Sequence, residues 1–200
     1  MTYPNRQLEN KLAKKYQRIA GVDEAGRGAL AGPIVAGAVI MPRKRILGIK
    51  DSKLLSPQKR QILFKEIKKE AIAWAIGSVS NKQIDKIGIG RANKLAIQKA
   101  IGKLNPRPDY VLIDGNLKID SKLPYRSIID GDYKIYVIAA ASILAKVYRD
   151  NLLVSYHRKY PKYQLSSHKG YGTKTHLVQL KKLGPSQLHR LSFLSGLLKR

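Results

Sequence analysis

Short runs of apolar and β-branched residues alternate with longer segments of helical spacing, and this alternation limits the possible folds more than any other feature of the chain. Short apolar runs bounded by glycine, proline or acidic residues are typical of buried strands. Such runs occupy residues 18–23, 32–41, 71–79, 110–114 and 125–129. Interleaved strands and helices favour an α/β domain in which helices cover a sheet.

The intervening segments carry helix signals. Ser56-Pro57 places a hydroxyl at an N-cap and a proline at the first helical position. Further helices are predicted at residues 89–104, at 135–156, at about 173–183 and, as a short element, at the C-terminus. The Ala-rich segment 135–156 is expected to be largely buried, whereas residues 1–17 are polar and are typical of an arm or a short helix.

The first two strands set the predicted topology. Few residues separate them, which predicts a hairpin and therefore a mixed sheet. We expect one continuous unit, with an α/β core at residues 1–156 and a basic helical segment at 157–200 that completes a substrate groove.

Charge limits the choice of partner. The chain of 200 residues has 39 Lys and Arg against 13 Asp and Glu, a formal charge of +26. This excess predicts a polyanionic partner, most simply nucleic acid; a general lysine bias of the source organism is the alternative. Cysteine is absent, which excludes a disulfide scaffold, a thiol nucleophile and a Cys-ligated metal centre. No apolar run reaches the ~18 residues of a membrane span and no targeting segment is evident, so we expect a cytoplasmic protein. No obligate interface is evident either, so we expect a monomer.

Most of the few acidic residues fall into two groups. Asp23-Glu24, Asp114 and Asp130-Gly-Asp132 each follow an apolar run and lie beside glycine, where an α/β fold places a site. The acids in polar, Lys-flanked stretches are expected to be solvated: Glu9, Glu66, Glu70, Asp85, Asp109 and Asp120.

Carboxylates gathered from separate strands repel one another. With no Cys and few His in the chain, a hard cation that prefers oxygen ligands, Mg²⁺ or Mn²⁺, is the natural compensation. In a strongly basic protein such a cluster indicates phosphodiester hydrolysis, in which two ions ~3.5–4 Å apart assist the attacking water and the leaving oxygen. The alternative is that each acid only forms a turn or caps a helix.

A series of motifs in a fixed order makes the hypothesis specific. The chain resembles the ribonuclease HII family from about Ile19 to Phe193. The matching blocks are DEAGRG (23–28), LAGPIVAGAV (30–39), DSKLLSP (51–57), VLIDGN (111–116), GD (131–132), IAAASILAKVYRD (138–150), HKGYGT (168–173) and HRLSF (189–193). The resemblance implies a ribonuclease H-like fold with a mixed, five-stranded sheet flanked by helices.

The resemblance also implies an activity. The family hydrolyses the RNA strand of RNA–DNA hybrids and cuts 5′ of single ribonucleotides embedded in duplex DNA, leaving 3′-hydroxyl and 5′-phosphate ends. The family's acidic residues fall on Asp23, Glu24, Asp114 and Asp132, which would ligate two Mg²⁺ or Mn²⁺ ions. Asp130 is a second candidate beside Asp132, but Asp132 precedes the helix block in the family pattern.

Substrate-binding residues follow from the same resemblance. The glycine–arginine–glycine element falls on Gly26, Arg27 and Gly28, whose backbone groups would contact the 2′-hydroxyl of the ribonucleotide and the adjacent phosphate. Tyr171 falls on the family's tyrosine, which senses the 2′-hydroxyl and stacks at the junction with DNA; a plain core aromatic is the alternative. Lys53, in a loop before a helix, is a candidate for a substrate phosphate, although a loop lysine without a role is equally consistent with the sequence.

The remaining candidates and rival functions are few. Arg149-Asp150 suggests a structural pair, and His168 and His189-Arg190 suggest structural packing. One rival is ribonuclease HIII, which usually carries an N-terminal substrate-binding domain; only 22 residues precede Asp23, so we expect none here. The other is a noncatalytic nucleic-acid-binding protein on a nuclease-like fold.

Overall fold

A five-stranded mixed sheet forms the centre of the molecule. The computed structural model describes residues 4–196. The strands are β1 (Ile19–Ala25), β2 (Ile34–Ile40), β3 (Ala73–Val79), β4 (Tyr110–Asp114) and β5 (Tyr125–Ile128), in the spatial order β3-β2-β1-β4-β5. β2 pairs antiparallel with both β1 and β3, whereas β1–β4 and β4–β5 are parallel. The predicted hairpin and mixed sheet are therefore confirmed.

Helices lie on both faces of this sheet. They are α1 (Gln7–Leu12), α2 (Pro57–Glu70), α3 (Asn81–Ile87), α4 (Ile89–Gly102), α5 (Gly131–Lys134), α6 (Tyr136–Lys159), α7 (Leu165–His168), α8 (Lys174–Leu183) and α9 (Leu191–Leu194), with 3₁₀ turns at Ser52–Leu54 and Pro161–Tyr163. The predicted start of α2 is confirmed, since the Ser56 side chain accepts a hydrogen bond from the backbone N–H of Lys59. No helix within residues 4–196 has both the length and the apolar character needed to span a membrane.

Glycines let the helices approach the sheet closely. A Cβ added to Gly37 of β2 would lie 2.6 Å from the carbonyl oxygen of Ala141 in α6. On the other face, a Cβ on Gly77 of β3 would lie 2.0 Å from the carbonyl oxygen of Ala96 in α4. The core is therefore built in two layers, with α6 and α2 on one face and α4 on the other.

We expect Gly37→Ala to lower the free energy of unfolding by about 1–3 kcal/mol, because the new methyl group meets backbone rather than a flexible side chain. Urea denaturation measures the change. Gly90→Ala is the matched control: no atom lies within 4 Å of its added Cβ, and alanine favours the helix by ~0.5–1 kcal/mol. Equal effects of the two substitutions would contradict this account of α6 packing.

Several predicted boundaries are corrected by the structure. β1 continues through Glu24 to Ala25, so the acidic pair lies inside a strand and not after one. α3 was not predicted, although Ser80 caps it by accepting a hydrogen bond from the N–H of Gln83. α6 continues to Lys159, across the predicted division at residue 157. The division of the chain into a core and a basic C-terminal segment stays a prediction. Residues 1–3 and 197–200 lie outside the described part of the chain.

Glu9, expected to be solvated, is buried. Its Oε1 accepts a hydrogen bond of 2.6 Å from the N–H of Val137, and its Oε2 lies 3.3 Å from Nε of Arg6. Burial raises the pKa of Glu9 to about 7 despite these contacts. The N-terminal segment is thereby attached to the first turn of α6, where a carboxylate satisfies an otherwise unpaired N–H group.

Candidate active site

Three carboxylates converge at one end of the sheet. Asp23 on β1, Asp114 at the end of β4 and Asp132 on α5 each offer an oxygen, and these oxygens lie within 4.8 Å of one another. β1 and β4 are parallel neighbours in which Val22 faces Ile113, so Asp23 and Asp114 follow side by side. We call Asp23, Asp114 and Asp132 the acidic triad.

Local backbone geometry brings the third member into place. Asp130 adopts a left-handed conformation (φ 55°), which turns the chain into α5. The N–H groups of Gly131 and Asp132 then donate to Oδ1 of Asp114 over 2.7 and 3.3 Å. Gly131 permits this approach, since an added Cβ would lie 3.1 Å from that Oδ1 and 2.7 Å from Cδ1 of Ile138. The Asp130 side chain is 72% exposed and lies 3.7 Å from Nζ of Lys134, so the structure places Asp132, and not Asp130, in the triad.

Burial and mutual repulsion perturb these acids. Burial raises the pKa of Asp23 well above its usual range, and the charges of Asp114 and Glu24 raise it further. Burial, with the charge of Asp114, also raises the pKa of Asp132, whereas Lys53 opposes the shift. The ionised cluster is therefore unfavourable until a proton or a cation neutralises it. Every donor in the triad is a carboxylate oxygen, which fits a hard divalent cation.

Glu24 lies beside the triad and not within it. Successive side chains of a strand point to opposite faces, so Asp23 faces Ser142 of α6 and Glu24 faces Asn93 of α4. Burial raises the pKa of Glu24, Asp114 raises it further, and Arg27 and the Asn93 side chain oppose the shift. The nearest Arg27 nitrogen lies 4.0 Å from Oε1 of Glu24. The sequence did not reveal Ser142 and Asn93 as neighbours of the acids. Ser142 lies in the family block 138–150, and Asn93 lies on α4, whose position against β1 only the fold shows.

The predicted substrate-binding residues line the same cleft as Asp23, Glu24 and Asp114. This cleft has a volume of about 430 Å³. Its walls are Asp23, Glu24, Ala25, Gly26, Arg27, Gly28, Ser52, Lys53, Asp114, Ser142, Lys146 and Tyr171. Residues that are as far apart in sequence as Gly26 and Tyr171 are thus brought to one surface.

Lys53 contacts the triad directly. Its Nζ lies 3.3 Å from Oδ2 of Asp132, while its side chain is 77% exposed. The Asp51 carboxylate accepts the N–H of Lys53, and the Arg60 guanidinium donates to the carbonyls of Ser52 and Leu55. These hydrogen bonds hold the loop in one conformation, which places Lys53 at the cleft with most of its side chain exposed.

Tyr171 is supported by histidines. Its carbonyl accepts a hydrogen bond of 2.9 Å from Nδ1 of His176, whose Nε2 lies 3.0 Å from Nε2 of His189. His168 stacks on His176 at 4.1 Å, as expected for a structural histidine. Burial lowers the pKa of all three rings, that of His189 to about 4. The rings are therefore neutral near pH 7, and each can serve as both donor and acceptor.

The expected Arg149–Asp150 pair is not formed. Asp150 instead accepts a hydrogen bond of 2.9 Å from Nζ of Lys146, one helical turn away. Arg149 and Arg190 are both fully buried, and their guanidinium groups bind backbone carbonyls around the cleft. Sequence reasoning noted both residues within family blocks but assigned neither of them to the site.

Known proteins resemble this chain both in sequence and in fold. The family model for ribonuclease HII matches residues 20–195. The ribonuclease HII of Caldicellulosiruptor bescii is 52% identical over 194 residues, which cover 96% of this chain and 94% of that protein. The ribonuclease H2 from Pyrococcus horikoshii OT3 has a TM-score of 0.76 at 25% identity, over 92% of this chain and 98% of its own. The structure of the PCNA:RNase HII complex from Archaeoglobus fulgidus has a TM-score of 0.76 at 28% sequence identity, over 91% of this chain and 97% of that chain. By sequence and by fold alike, the chain belongs to the ribonuclease HII family.

Proposed function

We propose that the protein is a metal-dependent endoribonuclease that hydrolyses the RNA strand of RNA–DNA hybrids and cuts 5′ of single ribonucleotides in duplex DNA. The observation that carries the proposal is the acidic triad, whose oxygens lie within 4.8 Å of one another and of which Asp23 and Asp114 line the same cleft as Gly26–Gly28 and Tyr171. The products carry 3′-hydroxyl and 5′-phosphate ends.

The acids supply the metal ligands in this proposal. Asp23, Asp114 and Asp132, with Glu24 beside them, would hold Mg²⁺ or Mn²⁺. Two such ions, when bound, supply Lewis-acid chemistry: they make the attacking water more acidic and offset the charge that develops on the leaving oxygen. The N–H groups of Gly131 and Asp132 donate to Oδ1 of Asp114 and so keep that carboxylate oriented.

The other cleft residues bind and orient the substrate. Lys53 places an ammonium group beside Asp132, where it can meet a phosphate. Tyr171 offers a half-exposed ring on which a sugar or base can stack, with Nζ of Lys146 5.4 Å from its centroid. The N–H groups of the Gly26–Gly28 segment face a 2′-hydroxyl, the one group that distinguishes a ribonucleotide within DNA. Monomeric state and cytoplasmic location stay predictions.

A duplex with one embedded ribonucleotide tests the function. The full-length protein is incubated with this duplex in Mg²⁺, in Mn²⁺ and in chelator, beside an all-DNA duplex of the same sequence. We expect metal-dependent cutting on the 5′ side of the ribonucleotide and an intact control. Cutting of long hybrids alone would remove the roles given to Arg27 and Tyr171, and tight binding without cutting would favour the noncatalytic binding protein.

We expect activity at subsaturating metal to rise with pH above the range in which an ordinary carboxyl group titrates. Burial and repulsion raise the pKa values of Asp23, Glu24 and Asp132, and each acid must lose its proton to bind a cation. The apparent metal affinity is expected to increase by up to about tenfold per pH unit for each proton displaced. Initial rates across a pH series measure this effect, and saturating metal is the control because it flattens the low-pH limb. A flat profile at subsaturating metal would contradict the raised pKa values.

A further inference from the structure

Two buried arginines lack an acidic partner within the described part of the chain. Arg149 and Arg190 are each 0% exposed, and neither forms an ion pair with a carboxylate of residues 4–196. Burial lowers the pKa of Arg190 to about 10, so the group remains charged near pH 7. Burying a guanidinium group without a counterion is costly, and the cost is offset only if its N–H groups find acceptors.

Arg190 finds its acceptors in the loop that joins β1 to β2, residues 26–33, here called the β1–β2 loop. Its Nη2 donates to the carbonyl of Gly26 over 2.8 Å and its Nη1 to the carbonyl of Arg27 over 2.9 Å. Its Nε donates to the carbonyl of Gly32 over 3.0 Å. One planar guanidinium group thus fixes three peptide groups at both ends of the loop.

These bonds determine which way the neighbouring N–H groups point. The C=O and N–H of a trans peptide are directed oppositely. Since the carbonyls of Gly26 and Arg27 turn inward to Arg190, the N–H groups of Arg27 and Gly28 turn away from it, on a segment that lines the cleft. Within the described residues neither N–H has an acceptor, so both are available to a ligand.

Arg149 connects the β1–β2 loop to the segment that carries Tyr171. Its Nε and Nη2 donate to the carbonyls of Pro33 and Ala31, each over 3.0 Å, and its Nη1 donates to the carbonyl of Lys169 over 2.9 Å. Its guanidinium carbon lies 5.1 Å from the centre of the Tyr171 ring. This side chain therefore links the two walls of the cleft, beside the backbone hydrogen bonds from the N–H groups of Leu30 and Ala31 to the carbonyl of Gly170.

We propose that Arg149 and Arg190 are positioning residues for ribonucleotide recognition: Arg190 aims the Arg27 and Gly28 N–H groups into the cleft, and Arg149 fixes their distance from Tyr171. The inference rests on the proposed function, because it assigns these residues to the discrimination between ribose and deoxyribose. The planar fork of donors is the essential feature, since an ammonium group cannot bind three carbonyls in one plane.

Arg190→Lys tests the inference because it keeps the charge and removes the fork. The selectivity measured is the inhibition constant of an all-DNA duplex divided by the KM for the same duplex with one ribonucleotide. We expect this ratio to fall about tenfold, the effect of losing one well-directed hydrogen bond, with the all-DNA inhibition constant unchanged. Arg149→Lys is expected to lower the ratio as well, through the displacement of Tyr171.

Arg6→Gln is the matched control. Arg6 also donates to two backbone carbonyls, those of Pro42 and Arg43, but it does so beyond the far end of β2. The Arg6→Gln substitution is expected to lower the melting temperature without changing the selectivity ratio. If Arg190→Lys lowers the melting temperature or kcat but keeps the wild-type selectivity ratio, the inference is overturned and the role of Arg190 is only structural.

A measurement on the wild type covers the case in which Arg190→Lys fails to fold. Amide resonances of ¹⁵N-labelled protein are followed during titration with the ribonucleotide duplex and with the all-DNA duplex, without divalent metal. We expect the Arg27 and Gly28 amides to shift with the ribonucleotide duplex and to shift less with DNA; equal shifts would overturn the inference. An inactive wild type would instead count against the proposed function, so the two failures are distinguishable.

Discussion

Asp23→Asn is expected to abolish hydrolysis and, at the same time, to stabilise the metal-free protein. Burial and the charges of Asp114 and Glu24 hold the pKa of Asp23 well above its usual range, so its ionised form is disfavoured in the fold. A carboxyl group with a raised pKa contributes stability at low pH that is lost as pH rises through the folded-state pKa. Asparagine stays neutral at every pH, so its advantage grows as pH rises through the raised pKa of Asp23.

The size of each effect follows from its cause. Loss of a ligand for a cation that stabilises the transition state by several kcal/mol predicts a fall in kcat of at least about 10³-fold. Relief of repulsion is expected to raise the melting temperature in chelator by about 2–4 °C for each kcal/mol gained. Added Mn²⁺ is expected to stabilise the wild type and to have little effect on the variant.

Thermal unfolding with and without Mn²⁺, together with cleavage rates, measures both effects. Asp120→Asn is the matched control, because Asp120 is exposed and lies outside the cleft lining. It is expected to leave activity and metal stabilisation unchanged. A less stable Asp23→Asn protein in chelator at neutral pH would contradict the account of a repulsive acidic cluster, and wild-type activity would remove Asp23 from the site.

Asp132→Asn and Asp130→Asn are expected to differ by about 10³-fold in activity, although the two acids are separated by a single glycine. Asp132 is buried within the acidic triad and lies 3.3 Å from Nζ of Lys53. Asp130 points to solvent beside Lys134, and an exposed ion pair contributes little, typically below ~1 kcal/mol. Asparagine also tolerates the left-handed conformation of residue 130, so the turn into α5 is preserved.

Parallel cleavage assays on the two purified variants measure this difference, with melting temperatures to establish that both fold. The Asp130 variant is expected to remain within about twofold of the wild type. Comparable losses in both variants would show that the turn as a whole, and not the Asp132 carboxylate, supports activity. A loss confined to Asp130 would reverse the assignment.

Much of the fold was predictable from local patterns. The apolar runs indicated all five strands, and Ser56-Pro57 indicated the start of α2, because strand periodicity and helix capping depend on neighbouring residues. The end of β1 was not predictable in this way. Two successive acids suggest the end of a strand, yet Asp23 and Glu24 pair with Gly37 and Ala36 of β2, and this long-range pairing extends the strand.

The partners of the charged residues were harder to predict from the sequence. Adjacent Arg149 and Asp150 suggested an ion pair, but successive residues of a helix point in different directions. Asp150 pairs with Lys146 four residues earlier, which lies on the same face of α6. Arg149 and Arg190 bind backbone carbonyls, and such acceptors leave no trace in the sequence because every residue has one.

The sequence by itself determined the class of the fold, the family, the acidic residues and the excess of positive charge, since each of these is written in residue types, spacing or order. Only the tertiary structure decided which acids meet. It brought Asp132, which the family resemblance already favoured over Asp130, beside Asp23 and Asp114, set Glu24 to one side, and directed two arginines toward the β1–β2 loop. The physical reason is that strand register, a left-handed turn at residue 130 and close helix packing fix side-chain directions, and these depend on contacts between segments far apart in the chain.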